Sequence, residues 1–363
     1  PLTFSVGKGY EAQYAAGYIE EFKDILRRDG GGYFPDAIMS DPPYHTRIRK
    51  LMENAFTARR VKELEPRLEE VIREGVAEAV AKGSPCDAVR DIAIPLTIRV
   101  IVEQLGLDHG MEAQISRWSA AVTAQIGAMQ SRETMLANAA QIAELQNYLI
   151  GKMKEREAKP GEDMISDIVH AETTDENGNG EKLTFAEAVS LIRAMLIAGN
   201  DTTATTIGKL FYVLATKPGM AELLDSCIGD DRKLNRFVEE HIRNEPPVRA
   251  LSRMCTKETV VNGTTIPEGA HMFLVYASGN DDETVYPEPR KFDIDRPNLG
   301  RHVGFGGGPH RCIGIAMEVK LAAVEIARQM KNIRLANPDA PIAFLPSVAT
   351  HTIESLPITF EPR

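Results

Sequence analysis

A chain of 363 residues, 43% apolar and 26% charged, has the composition of a globular protein and excludes a disordered or collagen-like one. Its 42 basic against 52 acidic side chains leave a net charge of −10, which argues against a general nucleic-acid binder. Cys86, Cys227, Cys255 and Cys312 are scattered and show no CxxC spacing, which excludes a disulfide scaffold and a zinc site and fits a reducing compartment.

Helical periodicity starts in a basic amphipathic stretch from Tyr44 to Phe56 and continues from Val61 to Ala81, rich in Glu and Arg. Ile92 to Leu105 is apolar and of helical length, and Met111 to Ile126 and Glu133 to Glu157 follow. Pro160-Gly161 ends the last of these, and Asn177-Gly178-Asn179-Gly180 marks an exposed loop. Thr184-Phe185-Ala186-Glu187 is a capping box opening a pattern that runs to Lys217, where Pro218-Gly219 stops it. At about 1.5 Å per residue, a helix over 184–217 spans about 50 Å, and its apolar residues on several sides place it centrally.

Beyond Val248 the texture changes. Val260 to Ile266 reads as a hairpin about Asn262-Gly263, and Met272 to Tyr276 as a strand. A Pro-rich meander runs from Tyr286 to Pro297, a final helix from Ile313 to about Met330, and short strands from Ile342 to Phe360. With no repeat and no linker, residues 1–363 read as a single domain, mainly α with a minor β region at about 248–297 and 342–360. No run of about 18 apolar residues is present, so no membrane span is expected.

Four motifs carry chemistry. In Phe305-Gly306-Gly307-Gly308-Pro309-His310-Arg311-Cys312-Ile313-Gly314 a Gly-rich loop delivers one cysteine to a helix start, where backbone N–H groups and the positive helix end favour a thiolate. A plain turn with a buried Cys is the alternative. A phosphate loop would need Lys-Ser or Lys-Thr, which is missing. Ala198-Gly199-Asn200-Asp201-Thr202-Thr203 puts helix-disfavouring residues midway along the long helix, as a kink or a functional site would. Glu240 and Arg243 stand at i, i+3 before Pro246-Pro247, and His45 and Arg49 stand at i, i+4; either pair alone fits a solvated helix face.

Taken together, in this order, the motifs resemble those of the cytochrome P-450 family from about Asp41 to the C-terminus. The resemblance implies a cytochrome P-450 fold, with the 184–217 helix over a haem b and the Cys loop and final helix beneath it. Cys312 is then the axial thiolate of the haem iron. Asp201 and Thr202 are its oxygen-activating acid–alcohol pair in a locally opened helix, beside Ala198 and Gly199. Glu240 and Arg243 join Arg296 of the meander in a structural triad. His45, Arg49, Arg253, His302 and His310 are implied as propionate partners, and Phe305 and Gly314 as loop residues against the haem. The sequence departs from the family at Asn244, where an aromatic is common, and after Cys312, where Ala-Arg-x-Glu is missing.

The activity so implied is insertion of one oxygen atom of O2 into a hydrophobic small molecule, by hydroxylation or epoxidation. A peroxygenase using H2O2 and a non-catalytic haem sensor or carrier are the alternatives. Ala194, Ile197, Ala198, Val248, Ala250, Leu251, Val348 and Ala349 are the expected pocket walls, and Arg249 is read as serving the haem edge before a substrate carboxylate. Electrons are expected from a ferredoxin or flavodoxin with its NAD(P)H reductase, docking on Arg47, Arg59, Arg60, Arg311 and Lys320. A cytoplasmic location is expected. The start at Pro1, without Met, is read as an N-terminally incomplete domain, whose tail strands would have lost their partners.

Overall fold

The structure is a computed structural model that describes residues 3–12, 18–34, 37–55, 58–127, 129–174, 180–314 and 317–363. Its early helices are α1 (Val6–Glu11), α2 (Tyr18–Asp29), α3 (Tyr44–Ala55), α4 (Ala58–Lys82) and α5 (Ile94–Leu105). Then come α6 (Glu112–Gly127), α7 (Arg132–Ala158), α8 (Met164–Val169) and α9 (Phe185–Thr216). The last are α10 (Met220–Cys227), α11 (Asp231–Asn244), α12 (Tyr276–Asn280) and α13 (Met317–Gln329). Strands are short: β1 (Phe4–Ser5), β2 (Cys86–Asp87), β3 (Glu172–Thr174), β4 (Gly180–Lys182) and β5 (Ala250–Cys255). They continue with β6 (Thr259–Val261), β7 (Thr264–Ile266), β8 (His271–Val275), β9 (Met330–Leu335) and β10 (Pro357–Pro362). No described helix is long and apolar enough to cross a membrane.

Helix starts follow their caps. Ser131 opens α7 by accepting the Thr134 N–H at 3.1 Å, Asp163 opens α8 on Ser166 at 2.8 Å, and Asp230 opens α11 on Lys233 at 3.0 Å. At α9 the capping box closes both ways: Glu187 Oε2 accepts the Thr184 N–H at 2.8 Å, and Thr184 Oγ1 accepts the Glu187 N–H at 3.3 Å.

The chain groups into two compact units, each drawn from three separate segments. One comprises residues 1–57, 102–198 and 250–274. There α7 contacts α2, α6 and α8. The buried Gln146 of α7 donates to the carbonyls of Gly30 (2.7 Å) and Gly32 (2.9 Å), and Arg193 donates to Gln146 and to Phe34 O. A sheet in the order β1-β5-β8 completes it, with Phe4 opposite Cys255. The hairpin β6–β7 turns on Asn262 and Gly263, both at positive φ (48° and 80°), the geometry an Asn-Gly turn supplies.

The other unit comprises residues 58–101, 199–249 and 275–363. Its core gathers Leu68 and Ile72 of α4, Ile207 and Phe211 of α9, Phe237 and Ile242 of α11, and Ala322 and Ile326 of α13. Its sheet runs β2-β10-β9. Both partners of the tail strand β10 therefore lie within the chain, Cys86 and Leu335 flanking Ile358, which corrects the expectation of lost partners. Asp87 fixes this edge, accepting from Val89 N (2.9 Å), Leu356 N (3.1 Å) and Ser355 Oγ (2.5 Å). The final helix is also shorter than expected. Residues 311–314 are irregular, the described part of α13 runs from Met317, and β9 takes over at Met330. Gly314, a poor helix former, stands where the helix was to begin.

Candidate active site

The Cys loop owes its shape to its glycines. Gly306 and Gly308 sit at φ 68° and 65°, which side-chain-bearing residues rarely adopt. Gly304 answers to space instead, since an added Cβ would lie 2.9 Å from Ile242 Cγ2 of α11. The Cys312 N–H donates to Phe305 O at 2.8 Å and the Gly306 N–H to Val303 O at 2.9 Å, so the loop folds back on itself. Cys312 is thereby held as an exposed thiol. The sulfur lies 3.9 Å from Gly314 O, in the irregular stretch 311–314. Thiols are ordinarily among the most buried groups in a folded protein. An exposed one on a pinned loop fits a ligand to a group from outside the chain, and thiolate suits iron held in a macrocycle.

The loop's support is a buried ionic network. Arg243 grips Glu240 at 2.7 Å and 2.9 Å, and Arg296 Nε reaches Glu240 Oε1 at 3.1 Å. Glu240 and Arg243 are wholly buried and Arg296 is 5% exposed. Every remaining arm is used. Arg243 donates to Asn280 O (2.7 Å) and Pro289 O (2.6 Å), and Arg296 to Pro287 O, Glu288 O and Lys291 O at 2.7 to 2.8 Å. Three members escaped the sequence reading. Asn280 donates to Arg243 O (3.1 Å) and accepts the Val303 N–H (2.8 Å), which ties network to loop. The Tyr286 ring lies 5.1 Å from the Arg243 guanidinium. Arg236 donates to Arg296 O at 2.6 Å. Asn244, unusual for the family, accepts from Lys217 Nζ at 3.3 Å, a bond a phenyl ring could not make.

Helix α9 is continuous through Asp201 and Thr202, where an opened turn was expected. Its polar side chains find partners without an opening. Thr97 Oγ1 donates to Asn200 Oδ1 at 2.6 Å, Asn200 Nδ2 to Asp201 Oδ1 at 3.3 Å, and Thr206 Oγ1 to Thr202 O at 2.7 Å. Asn200 is buried, while Asp201 and Thr202 are half-buried. Thr97 and Asn200 are the additions here; a polar pair inside two apolar helices was the available signal.

The remaining expected residues divide between the units. Ala194, Ile197, Ala198, Ala250, Leu251, His45, Arg49 and Arg253 belong to the first. His45 is buried, and burial followed by the nearby Arg49 charge lowers its pKa. Arg49 Nε pairs with Glu53 at 2.9 Å, and the buried Arg253 donates to Ser252 O at 2.7 Å. The second unit holds Val248, Val348, Ala349, His302 and His310 with Cys312, Asp201 and Thr202. Val248 bridges to Thr350, which aligns residues 247–249 with the tail. His302 is engaged by the protein: its Nε2 meets Glu239 Oε2 at 2.6 Å and its Nδ1 accepts the Gly304 N–H at 3.1 Å. Both nitrogens serve the loop, where the resemblance implied a propionate, because a buried imidazole needs partners.

The expected docking cations come from both units. Arg47 is paired with Glu187 in the first unit, and Lys320 with Asp231 at 3.0 Å in the second. Arg311 is exposed, with no ion pair among the described residues. The side chains of Arg59 and Arg60 lie outside the described residues.

Two turns beyond Thr202, Lys209 is 1% exposed, with Nζ 3.0 Å from Pro246 O and 3.6 Å from Glu245 Oε2. Burial lowers its pKa from 10.5 to about 8, against the pull of Glu245. Below pH 8 both folded and unfolded chains carry this charge, and its burial costs the folded state in full. Between about 8 and 10.5 only the unfolded chain keeps the proton, so stability rises with pH. That interval corresponds to about 3 kcal/mol. In urea unfolding from pH 7.5 to 10.5, the stability difference between the wild type and Lys209→Met should change by about this amount. A pH-independent difference would exclude the effect.

A mainly helical scaffold whose ionic core exists to present one exposed thiol has the build of a thiolate-ligating metalloenzyme. Comparison with known proteins resolves which. The family described as Cytochrome P450 matches residues 127–329. The Steroid C26-monooxygenase of Mycobacterium tuberculosis (strain CDC 1551 / Oshkosh) is 30% identical over 98% of this chain and 95% of its own length. Cytochrome P450 monooxygenase PikC of Streptomyces venezuelae is 32% identical over 88% of this chain and 74% of its own. The solved structure of cytochrome P450 CYP109Q5 from Chondromyces apiculatus superposes with a TM-score of 0.82 at 28% identity, covering 99% of this chain and 86% of that one. The chain belongs to the cytochrome P450 family. It is a haem-thiolate monooxygenase, which acts with O2, a small-molecule substrate and a redox partner.

Proposed function

We propose that Cys312 is the axial ligand of a haem b and that Asp201 and Thr202 deliver protons beside it, within one cytochrome P450 domain formed by all 363 residues. The observation that carries this reading is the exposed Cys312 thiol on a loop tied through Asn280 to the buried Glu240–Arg243–Arg296 network. When bound, the haem supplies the oxidising chemistry that places one oxygen atom of O2 in the substrate. The protein's own work is positioning and proton transfer. Thr202 offers its hydroxyl as donor, and the Asp201 carboxylate takes up and passes on protons. His45, Arg49, Arg253 and His310 are the cations for the propionates, with His302 left to Glu239. Ala198, Gly199, Phe305 and Gly314 border the cofactor.

The substrate is a hydrophobic molecule of moderate bulk, in keeping with the small apolar side chains of Ala194, Ile197, Ala198, Val248, Ala250, Leu251, Val348 and Ala349. Relatives named for a steroid, for vitamin D3 and for 6-deoxyerythronolide B support that size class. Arg311 is the cation for docking an acidic ferredoxin or flavodoxin, with a cytoplasmic location to match.

Thr202→Ala tests the proton role. The variant should keep its haem and its substrate-induced spectral change, while product formed per reducing equivalent falls by about tenfold or more and peroxide accumulates. Tight coupling in Thr202→Ala would remove Thr202 from proton delivery.

A further inference from the structure

A cleft of about 510 Å³ opens at the C-terminal end of α11, lined by Asn244, Pro246, Arg249, Ser278, Asp281 and Arg290 among others. All of these residues belong to the second unit, and none serves the thiolate loop or the Asp201–Thr202 pair. The volume is that of a small-molecule site.

Arg249 is fixed in this wall from both sides. Its N–H donates to Ala349 O at 2.7 Å, and its carbonyl accepts the Ala277 N–H at 3.2 Å. Its side chain is unspent. Nε is buried without a hydrogen-bond partner among the described residues, and no carboxylate there pairs with the guanidinium. Burial pushes its pKa below the usual arginine range, with Glu245 only partly offsetting it. Glu245 is itself drawn towards Lys209, 3.6 Å away.

The other charged side chains of the cleft have contacts of their own, and only Arg290 and Asp281 form an ion pair. Arg290, 74% exposed, pairs with Asp281 at 2.5 Å. Asp282 Oδ1 accepts from Thr284 N at 2.9 Å and Thr284 Oγ1 at 2.6 Å. Of the two guanidiniums in the cleft, Arg249 is therefore the one with no carboxylate within ion-pair distance among the described residues. A half-buried guanidinium with a vacant Nε suits a planar oxyanion that takes Nε and a neighbouring N–H together.

We propose that this cleft binds a small organic carboxylate, held by Arg249 with Arg290 as the second cation. No residue of the Cys312 loop lines the cleft. Binding there would act on the 349–351 tail segment, which is bonded to residues 247–249 through Arg249 N to Ala349 O and His351 N to Pro247 O.

The test is calorimetric titration of the haem-loaded protein with benzoate, with benzamide as its uncharged counterpart and inorganic phosphate as a competing oxyanion. Benzoate should saturate one site without moving the Soret band, and benzamide should not bind. Arg249→Gln should weaken benzoate about tenfold or more, and Arg290→Gln by a smaller factor. Either variant suffices should the other fold poorly. The proposal is overturned by equal benzoate affinity in wild type and both variants, or by benzamide binding as well as benzoate. A Soret shift would place the ligand at the haem instead, and phosphate binding in place of benzoate would assign another anion. Lack of saturation by about 10 mM would exclude a site.

Discussion

Glu240→Ala should destabilise the protein by about 3–5 kcal/mol, read as a lowered urea midpoint, and should cost it haem retention at the same time. The size of the effect comes from what remains, not from what leaves. Arg243 and Arg296 are 0% and 5% exposed, and the only carboxylate within ion-pair distance of either, among the described residues, is that of Glu240. Truncating it strands two buried cations whose other arms are tied to backbone carbonyls and cannot swing to water. Glu240→Gln, which preserves shape and accepts one hydrogen bond, should fall between. A loss below about 1 kcal/mol for Glu240→Ala, the scale of an exposed pair, would show that the network does not hold the loop.

Cys312→His should leave the fold intact and abolish the strongly red-shifted Soret band of the ferrous–CO complex, with loss of turnover. The thiol is exposed and the loop's hydrogen bonds are backbone bonds, so stability should change by about 0.5 kcal/mol or less. The other thiols cannot stand in. Cys227 and Cys255 are buried, and burial drives the Cys86 pKa up to about 11 and raises that of Cys227. Cys86 and Cys227 are thereby held in the protonated form that binds metal poorly. Retention of the red-shifted band in Cys312→His would move the ligand elsewhere.

Much of the site was legible because its chemistry is local in sequence. Glu240 and Arg243 lie on one helix face by their spacing alone, and Thr184 with Glu187 announced the start of α9. What was missed depends on residues brought in from afar. Asn280 reaches Arg243 across 37 positions and Val303 across 23. Thr97 meets Asn200 across 103. No period or motif signals such pairs. The ion pairs of the expected docking cations were out of reach for the same reason: Arg47 meets Glu187 and Lys320 meets Asp231, each far away in sequence.

The sequence alone determined the helical class and the long α9, since both follow from periodicity and caps that local backbone preferences enforce, and its ten-residue Cys motif singled out Cys312 as the proposed thiolate. Tertiary structure alone decided which charges remain available. A guanidinium's role depends on whether a carboxylate is folded against it, and ion pairing in a low-dielectric interior is set by distance in space, not along the chain. By that criterion Arg243 and Arg296 became scaffold, His302 became a partner of Glu239, and Arg249 was left with an unfilled bond.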